Sequence, residues 1–464
     1  MLQQPPPFVK TAWVLIILFV GGMAALQATS GGVDDAGNEE DDAGLVIVRL
    51  QAEFILGQSV MSGSTNNIAA AAGVLDTGTV GQRQRYIAFM VGLGDTEAAG
   101  LAALRMKGEL TTEGMEMTEE QAKTQEMLDI LVEGGNLPED HLSLEESLGW
   151  FGTFIQADGA ERKSIESSAL NKVMILTAVV LIVAVAAIGG LIFLILRLVK
   201  AFDGTMKSGL EQPASHHGVY AEVFALWILV FVILTTVAAV LGNLVADGNA
   251  TISLIFVLIA FFGSLVVLFW ARIRGVPYKQ IRKDIGWTTG NGFLKEIGTG
   301  IFGYAMTLPI LGIGVSLTLF LFMIQQLMSG GVEAAPFRGT GGGSHPIIVD
   351  LANGVWSIRI LLIIMAAVAA PVVEETVFRG VLYRQLRSSS CKFPKVLSIA
   401  CSVFLVSFVF AAIHPQGWVA IPALMGIAIG MNLLREWRGS LISSMVVHGL
   451  SNGIVVSMMV LMLG

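Results

Sequence analysis

Apolar residues run through this chain in blocks long enough to cross a bilayer, and polar residues gather in the gaps between them. The blocks fall at 11–28, 173–196, 219–245, 251–271, 298–327, 355–370, 396–413, 418–434 and 441–463. The stretch 373–386 either continues the sixth block through a kink at Pro371 or forms a helix of its own. The expected fold is all-α: a polytopic transmembrane bundle of about eight to nine helices. The first block, 1–28 with its flank, has only Lys10 as a basic lead, which reads as a retained first span or signal anchor, with a cleaved signal peptide as the alternative.

Between the first two blocks the pattern changes. Residues 29–170 open on the acidic run Asp34 to Asp42 and continue as amphipathic stretches separated by glycines. Thr118 to Gln121 and Ser143 to Glu146 have capping-box spacing, and Gly134-Gly135 is a helix stop. Composition sharpens this contrast. The 464-residue chain is 54% hydrophobic with a net charge of −8 and a mean hydropathy of +0.72. Residues 31–170 alone carry 25 Asp/Glu against 8 Lys/Arg, a net of −17 that leaves +9 for the rest. An acidic, helical extramembrane insert in a basic-flanked membrane protein is expected, with a protein partner at the insert as its one candidate role. The remaining divisions are 171–350, membrane helices with an interfacial segment at 272–295, and 351–464, a membrane domain holding the chemistry described below.

Four basic clusters lie near Arg197, Arg272 to Lys283, Arg384 to Lys395, and Arg435/Arg438. All fall on one side if nine spans alternate, and positive-inside counting makes that side cytoplasmic. Ser329 to Ser344 then becomes a Gly-rich outer loop. The two cysteines, Cys391 and Cys401, allow neither a disulfide framework nor a thiolate metal cage.

Candidate chemistry is concentrated where charges interrupt apolar runs. Glu374 and Glu375 follow an apolar stretch from Ile360 to Ala370, with Arg379 four residues on. A charge at the centre of a membrane helix costs roughly 2.5–3.5 kcal/mol, so two adjacent carboxylates imply use. Residues four apart share a helical face, which pairs Glu375 with Arg379 and leaves Glu374, about 100° away, as a free base for taking a proton from water. Phe410 and His414 share a face at the end of the seventh block, and His448 and Asn452 share one inside the ninth. The turn at Ser388 to Lys395 is short, so its flanking helices run antiparallel. At 1.5 Å per residue, Glu374 stands about 20 Å from that turn and His414 about 28 Å. His448 can enter the same core.

Glu-Glu-x-x-x-Arg at 374–379, Phe-x-x-x-His at 410–414 and His-x-x-x-Asn at 448–452 together resemble the CPBP family of intramembrane proteases, which includes type II CAAX prenyl endopeptidases and bacteriocin-immunity proteins. The resemblance covers 355–462, under a quarter of the chain, and all seven motif positions are intact. It implies a membrane endopeptidase in which Glu374 and His414 activate water while His448 and Asn452 stabilise the oxyanion, with Glu375, Arg379 and Phe410 in support. The implied substrate is a membrane-associated protein or peptide, and the implied setting a multi-pass protein of the bacterial cell membrane. Glu374, His414 and His448 could together hold Zn²⁺, although a carboxylate–imidazole pair can activate water without metal, and the metal-free route is preferred.

Two other classes compete. A proton-coupled transporter also buries Glu, His and Arg, but it predicts repeated halves, and no internal repeat is found. A non-catalytic scaffold or immunity protein would use the insert and treat the membrane core as an anchor. No basic or aromatic patch and no Gly-rich phosphate loop points to nucleic acid or nucleotides. His141, His216, His217 and His345 fall in polar stretches and receive no role, while Trp418 reads as a helix-end anchor or the lining of a substrate entrance.

Overall fold

The computed structural model describes residues 8–29, 42–63, 68–76, 79–113, 117–137, 143–205, 208–210, 218–245, 249–328, 351 and 354–463. His141, His216, His217, His345, most of the acidic run at 34–42 and the Gly-rich stretch at 329–344 lie outside these residues. Every regular element among the described residues is helical. Ten helices are long and apolar enough to span a membrane. The one beyond the expected nine is Gly44–Ser62, inside the acidic insert, whose apolar content the surrounding charge had masked.

The chain divides into two compact units. One comprises Met1–Val33, Leu181–Gln325 and Thr340–Val460; the other is Asp34–Val180 with the short pieces Gln326–Gly339 and Leu461–Gly464. The first contains α1 (Val9–Thr29) and most of the later membrane helices. These are α3 (Val219–Val245), α4 (Ala250–Ile273), α5 (Tyr278–Ile285), α6 (Phe293–Met328), α7 (Trp356–Ser389), α8 (Lys395–Ala412), α9 (Ile421–Arg438) and α10 (Ile442–Leu463). A 44-residue helix, α2 (Gly159–Phe202), begins in the second unit and ends in the first.

Lipid tails are as apolar as leucine, so membrane helices associate through packing and polar ties rather than through expulsion of water. Aromatic rings supply part of that packing. Phe224, Trp227 and Phe410 all meet the Phe378 ring edge-on, with centroids 5.2–5.7 Å away, an arrangement worth about 0.5–1.5 kcal/mol per pair. Around them pack Ala12, Ile16 and Val20 of α1, Val406 of α8, Met431 of α9 and Val447 of α10. Glycine permits the closest approach: a Cβ on Gly449 of α10 would stand 2.6 Å from the Ala367 carbonyl oxygen of α7.

The polar ties cluster at the basic end of the helices. Arg384 pairs with Asp284 at 2.9 Å and Arg387 with Glu436 at 2.9 Å. Arg438 pairs with Glu296 at 2.6 Å, and the buried Arg435 donates to the carbonyls of Arg379 (3.2 Å) and Asp284 (2.7 Å). Arginines that mark the side of the membrane in the sequence thus also lock α7 and α9 to α5 and α6. Within the stretch 272–295, α5 buries Ile281, Asp284 and Ile285 and exposes Tyr278, Lys279, Arg282 and Lys283, the two-faced pattern expected of an interfacial helix.

The sixth apolar block does continue past Pro371. Helix α7 is unbroken for 34 residues, but two stretches, 365–369 and 375–382, are wound in the wider π register. In that register the Ala370 N–H reaches back five residues to the Met365 carbonyl. Pro371 has no N–H to give to Ala366 five residues back. The Asn452 side chain supplies one instead, Nδ2 donating to the Ala366 oxygen at 3.1 Å.

In the second unit the core is built from Phe89, Phe154, Leu56, Leu128 and their neighbours, and Arg162 lies over the Phe154 ring at 3.8 Å. The capping box at Thr118 forms with both reciprocal bonds, 3.0 and 3.2 Å, and the following helix stops before Gly134, at φ +76°. The box expected at Ser143 does not form. Ser143 is the N-cap of Leu144–Leu148 but makes no side-chain capping bond, and this five-residue helix ends at Gly149.

Candidate active site

Three helices deliver the motif residues to one place. Glu374, Glu375 and Arg379 project from the middle of α7, Phe410 lies in the last turn of α8 with His414 just beyond it, and His448 and Asn452 stand one turn apart on α10.

The adjacent glutamates face different surroundings. Glu375 and Arg379 are both fully buried and pair at 2.9 Å. The opposite face of the guanidinium lies over the Phe410 ring, 4.4 Å from its centroid. Glu375 Oε1 also accepts from His448 Nδ1 at 3.0 Å. Its expected structural pairing is present, and beyond that it holds an imidazole, a contact the sequence spacing did not reveal.

Glu374 points elsewhere. Its Oε2 has no hydrogen-bond partner in the structure and stands 3.8 Å from His414 Nε2 and 3.9 Å from His448 Nε2. These separations exceed a direct hydrogen bond, yet an atom about 2.8 Å from each partner fits between them. Both imidazoles are anchored from behind. His414 Nδ1 donates to the Phe410 carbonyl at 2.5 Å, and His448 Nδ1 donates to Glu375. When Nδ1 carries the hydrogen of a neutral ring, Nε2 is the acceptor atom, and in both rings Nε2 is the nitrogen nearer Glu374. At 3.8 and 3.9 Å, Glu374 Oε2 stands within one bridging water of either Nε2.

Zn²⁺ bound here would take Glu374, His414 and His448 as its ligands. Tetrahedral coordination at about 2.0–2.1 Å places donor atoms about 3.3 Å apart, closer than they stand here. Among the described residues no group of three or more His, Cys, Asp or Glu side chains has the arrangement of a metal site.

Phe410 touches more of the site than its place at the head of a motif suggests. Besides Arg379 and Phe378, its ring meets His414 at 4.3 Å and His448 at 5.9 Å between centroids. Asn452 is farther along α10. One hydrogen of its carboxamide is committed to the Ala366 carbonyl, and the other is the one it could offer to a reacting oxygen.

Two supports lie outside the motifs. Gln27 of α1 donates Nε2 to the carbonyls of Ala412 (3.0 Å) and His414 (2.5 Å), fixing the turn that carries His414. Trp287 donates Nε1 to Thr376 Oγ1 at 2.9 Å, next to the glutamates. The available signal was weak: a lone glutamine near the end of an apolar run, and a tryptophan between two spans. Trp418 sits in a short turn, Trp418–Ala420, and is 37% exposed.

Residues 356–454, about a fifth of the chain, match the family model described as type II CAAX prenyl endopeptidase Rce1-like. That match bears out the resemblance carried by the three motifs, over the helices that hold every residue of the site. No curated protein and no solved structure matched the chain.

Proposed function

We propose that the protein is an intramembrane endopeptidase that hydrolyses a peptide bond of a membrane-associated protein or peptide, with Glu374 and His414 activating the attacking water. The observation that carries this reading is the unpartnered Glu374 Oε2 facing two imidazole Nε2 atoms across gaps of 3.8 and 3.9 Å. Water bound there gives a proton to Glu374 and attacks the scissile carbonyl. The proton is then passed to the leaving amine. Either imidazole is near enough to Glu374 to share it. His448 and Asn452 stabilise the tetrahedral oxyanion: Asn452 through its uncommitted amide hydrogen, and His448 through Nε2 once that nitrogen has taken a proton. Glu375 holds His448 in the tautomer that this requires.

The experiment is the Glu374→Gln variant, which keeps size and polarity but removes the base. Loss of a positioned base should lower turnover by about 10²–10⁴-fold while thermal stability in detergent stays at the native level, and uncleaved membrane peptides should accumulate in cells. Full turnover by this variant would overturn the assignment. Activity is expected to survive a chelator; loss that Zn²⁺ restores would replace carboxylate activation of water with Lewis-acid chemistry at the same residues.

A further inference from the structure

A cavity lies away from Glu374 and Glu375, within the first unit. Its volume is about 540 Å³, inside the range of about 300–1,000 Å³ typical of small-ligand sites. It is enclosed by the last turns of α2, the middle of α6, the first turns of α8 and the last turns of α9. His414 is 11 or more residues beyond the last α8 residue lining it, Val403, or about 16 Å along the helix axis.

The walls are chemically divided. Leu194, Leu198, Ile310, Ile399, Val403 and Leu433 make an apolar interior, while Arg197 and Lys395 line the same cavity near the helix ends that carry the basic loops. Glu436 is the acidic residue of the wall, and its charge is already taken. It receives Arg387 at 2.9 and 3.1 Å, the Tyr383 hydroxyl at 2.9 Å and the Ser208 hydroxyl at 2.6 Å. Arg197 lies over the Trp437 ring at 4.2 Å. Neither Arg197 nor Lys395 forms an ion pair among the described residues. An apolar hollow that opens beside two uncompensated cations and an aromatic ring, on the side marked by basic loops, complements a molecule with an acyl chain and a phosphate head.

We propose that this cavity is a binding site for one anionic phospholipid of the leaflet next to the basic loops, with an acyl chain between α2, α6, α8 and α9 and the phosphate on Arg197 and Lys395. Basic pockets between membrane helices select acidic headgroups in this way, each cation near the surface adding about five-fold in affinity. The guanidinium is suited to phosphate because it offers two parallel donors. Stacking on Trp437 holds it in place before the lipid arrives. The site is independent of the proposed peptidase chemistry and stands or falls without it.

The full-length protein in vesicles provides the test. Phosphatidylglycerol and phosphatidylcholine carrying bromine on the acyl chain are compared as quenchers of Trp437 fluorescence, isolated as the difference between the native protein and Trp437→Phe. Brominated phosphatidylglycerol should quench this component at a several-fold lower mole fraction. Arg197→Gln with Lys395→Gln should reduce that preference by about ten-fold or more, whereas Lys279→Gln with Lys283→Gln, on exposed α5, should leave it intact. Equal quenching by both lipids would overturn the site, as would an equal loss in the two double variants, which would reduce the preference to general surface charge. Native mass spectrometry of the unaltered protein needs no variant to fold: it should retain phosphatidylglycerol over phosphatidylcholine as a single bound lipid, and equal retention would likewise refute the proposal.

Discussion

Arg379→Ala is the most informative single change, because the structure assigns that fully buried side chain two partners, Glu375 and Phe410. Its guanidinium and the Glu375 carboxylate pair at 2.9 Å with both side chains fully buried, and its other face covers Phe410. Removing the arginine leaves the buried Glu375 carboxylate without its counter-charge, a loss of about 3–5 kcal/mol. The ring contact adds about 0.5–2 kcal/mol. For a unit of this size each kcal/mol moves the midpoint by roughly 2–4 °C, so a drop on the order of 10 °C or more is expected. The assay is thermal unfolding in mild detergent followed by tryptophan fluorescence, with abundance in membranes as a second readout. The double variant Arg379→Met with Glu375→Gln isolates the charge. It removes both ions, keeps the volume and leaves His448 Nδ1 an amide oxygen to donate to, so most of the lost stability should return. A native midpoint for Arg379→Ala, or a double variant no better than the single, would refute the view that the pair is held together by mutual neutralisation.

Three further outcomes follow from the geometry. Asn452→Ala should strip the Ala366 carbonyl of its donor and cost about 1–3 kcal/mol; adding Pro371→Ala, which restores a backbone N–H, should return stability without returning turnover, and failure of that rescue would mean that Asn452 does not stand in for the missing N–H. Gly449→Ala should push α10 off α7, since its Cβ would sit 2.6 Å from a backbone oxygen, lowering stability and turnover together; native behaviour would show that the two helices have slack. Ser389→Cys in sealed membranes should react with an impermeant thiol reagent from the cytosolic side alone, as the basic clusters require, and labelling from outside would invert the topology.

Fold class, and the polar residues that the structure brings together at the candidate site, could be read from the sequence for one reason: in lipid a charge is expensive, so each one that persists is conspicuous. Glu374, Glu375, Arg379, His414 and His448 stand out against apolar neighbours, and helical spacing alone separates the paired glutamate from the unpaired one. The helix count was less legible. Gly44–Ser62 is apolar enough to span but is embedded in acidic sequence, and Pro371 reads equally as a kink or an end because the π register that carries α7 past it leaves no mark in composition. What escaped altogether were contacts between distant segments. Nothing local says that Asn452 will find the carbonyl orphaned by Pro371, or that Glu375 will hold His448. Phe410 reads as a motif position, whereas its ring proves to be shared by a cation and both imidazoles.

The bond from Gln27 to the His414 carbonyl joins residues 387 positions apart, and this separation has a consequence for biogenesis. Helix α1 is the first described span to leave the ribosome and α10 the last, while His414 waits between them for both its clamp and its facing imidazole. The arrangement of Glu374, His414 and His448 therefore forms only once α10 has been translated. A nascent chain stalled between α7 and α10 carries both glutamates but not His448, so under the proposed reading the order of synthesis keeps the glutamates without their second imidazole until α10 has been made.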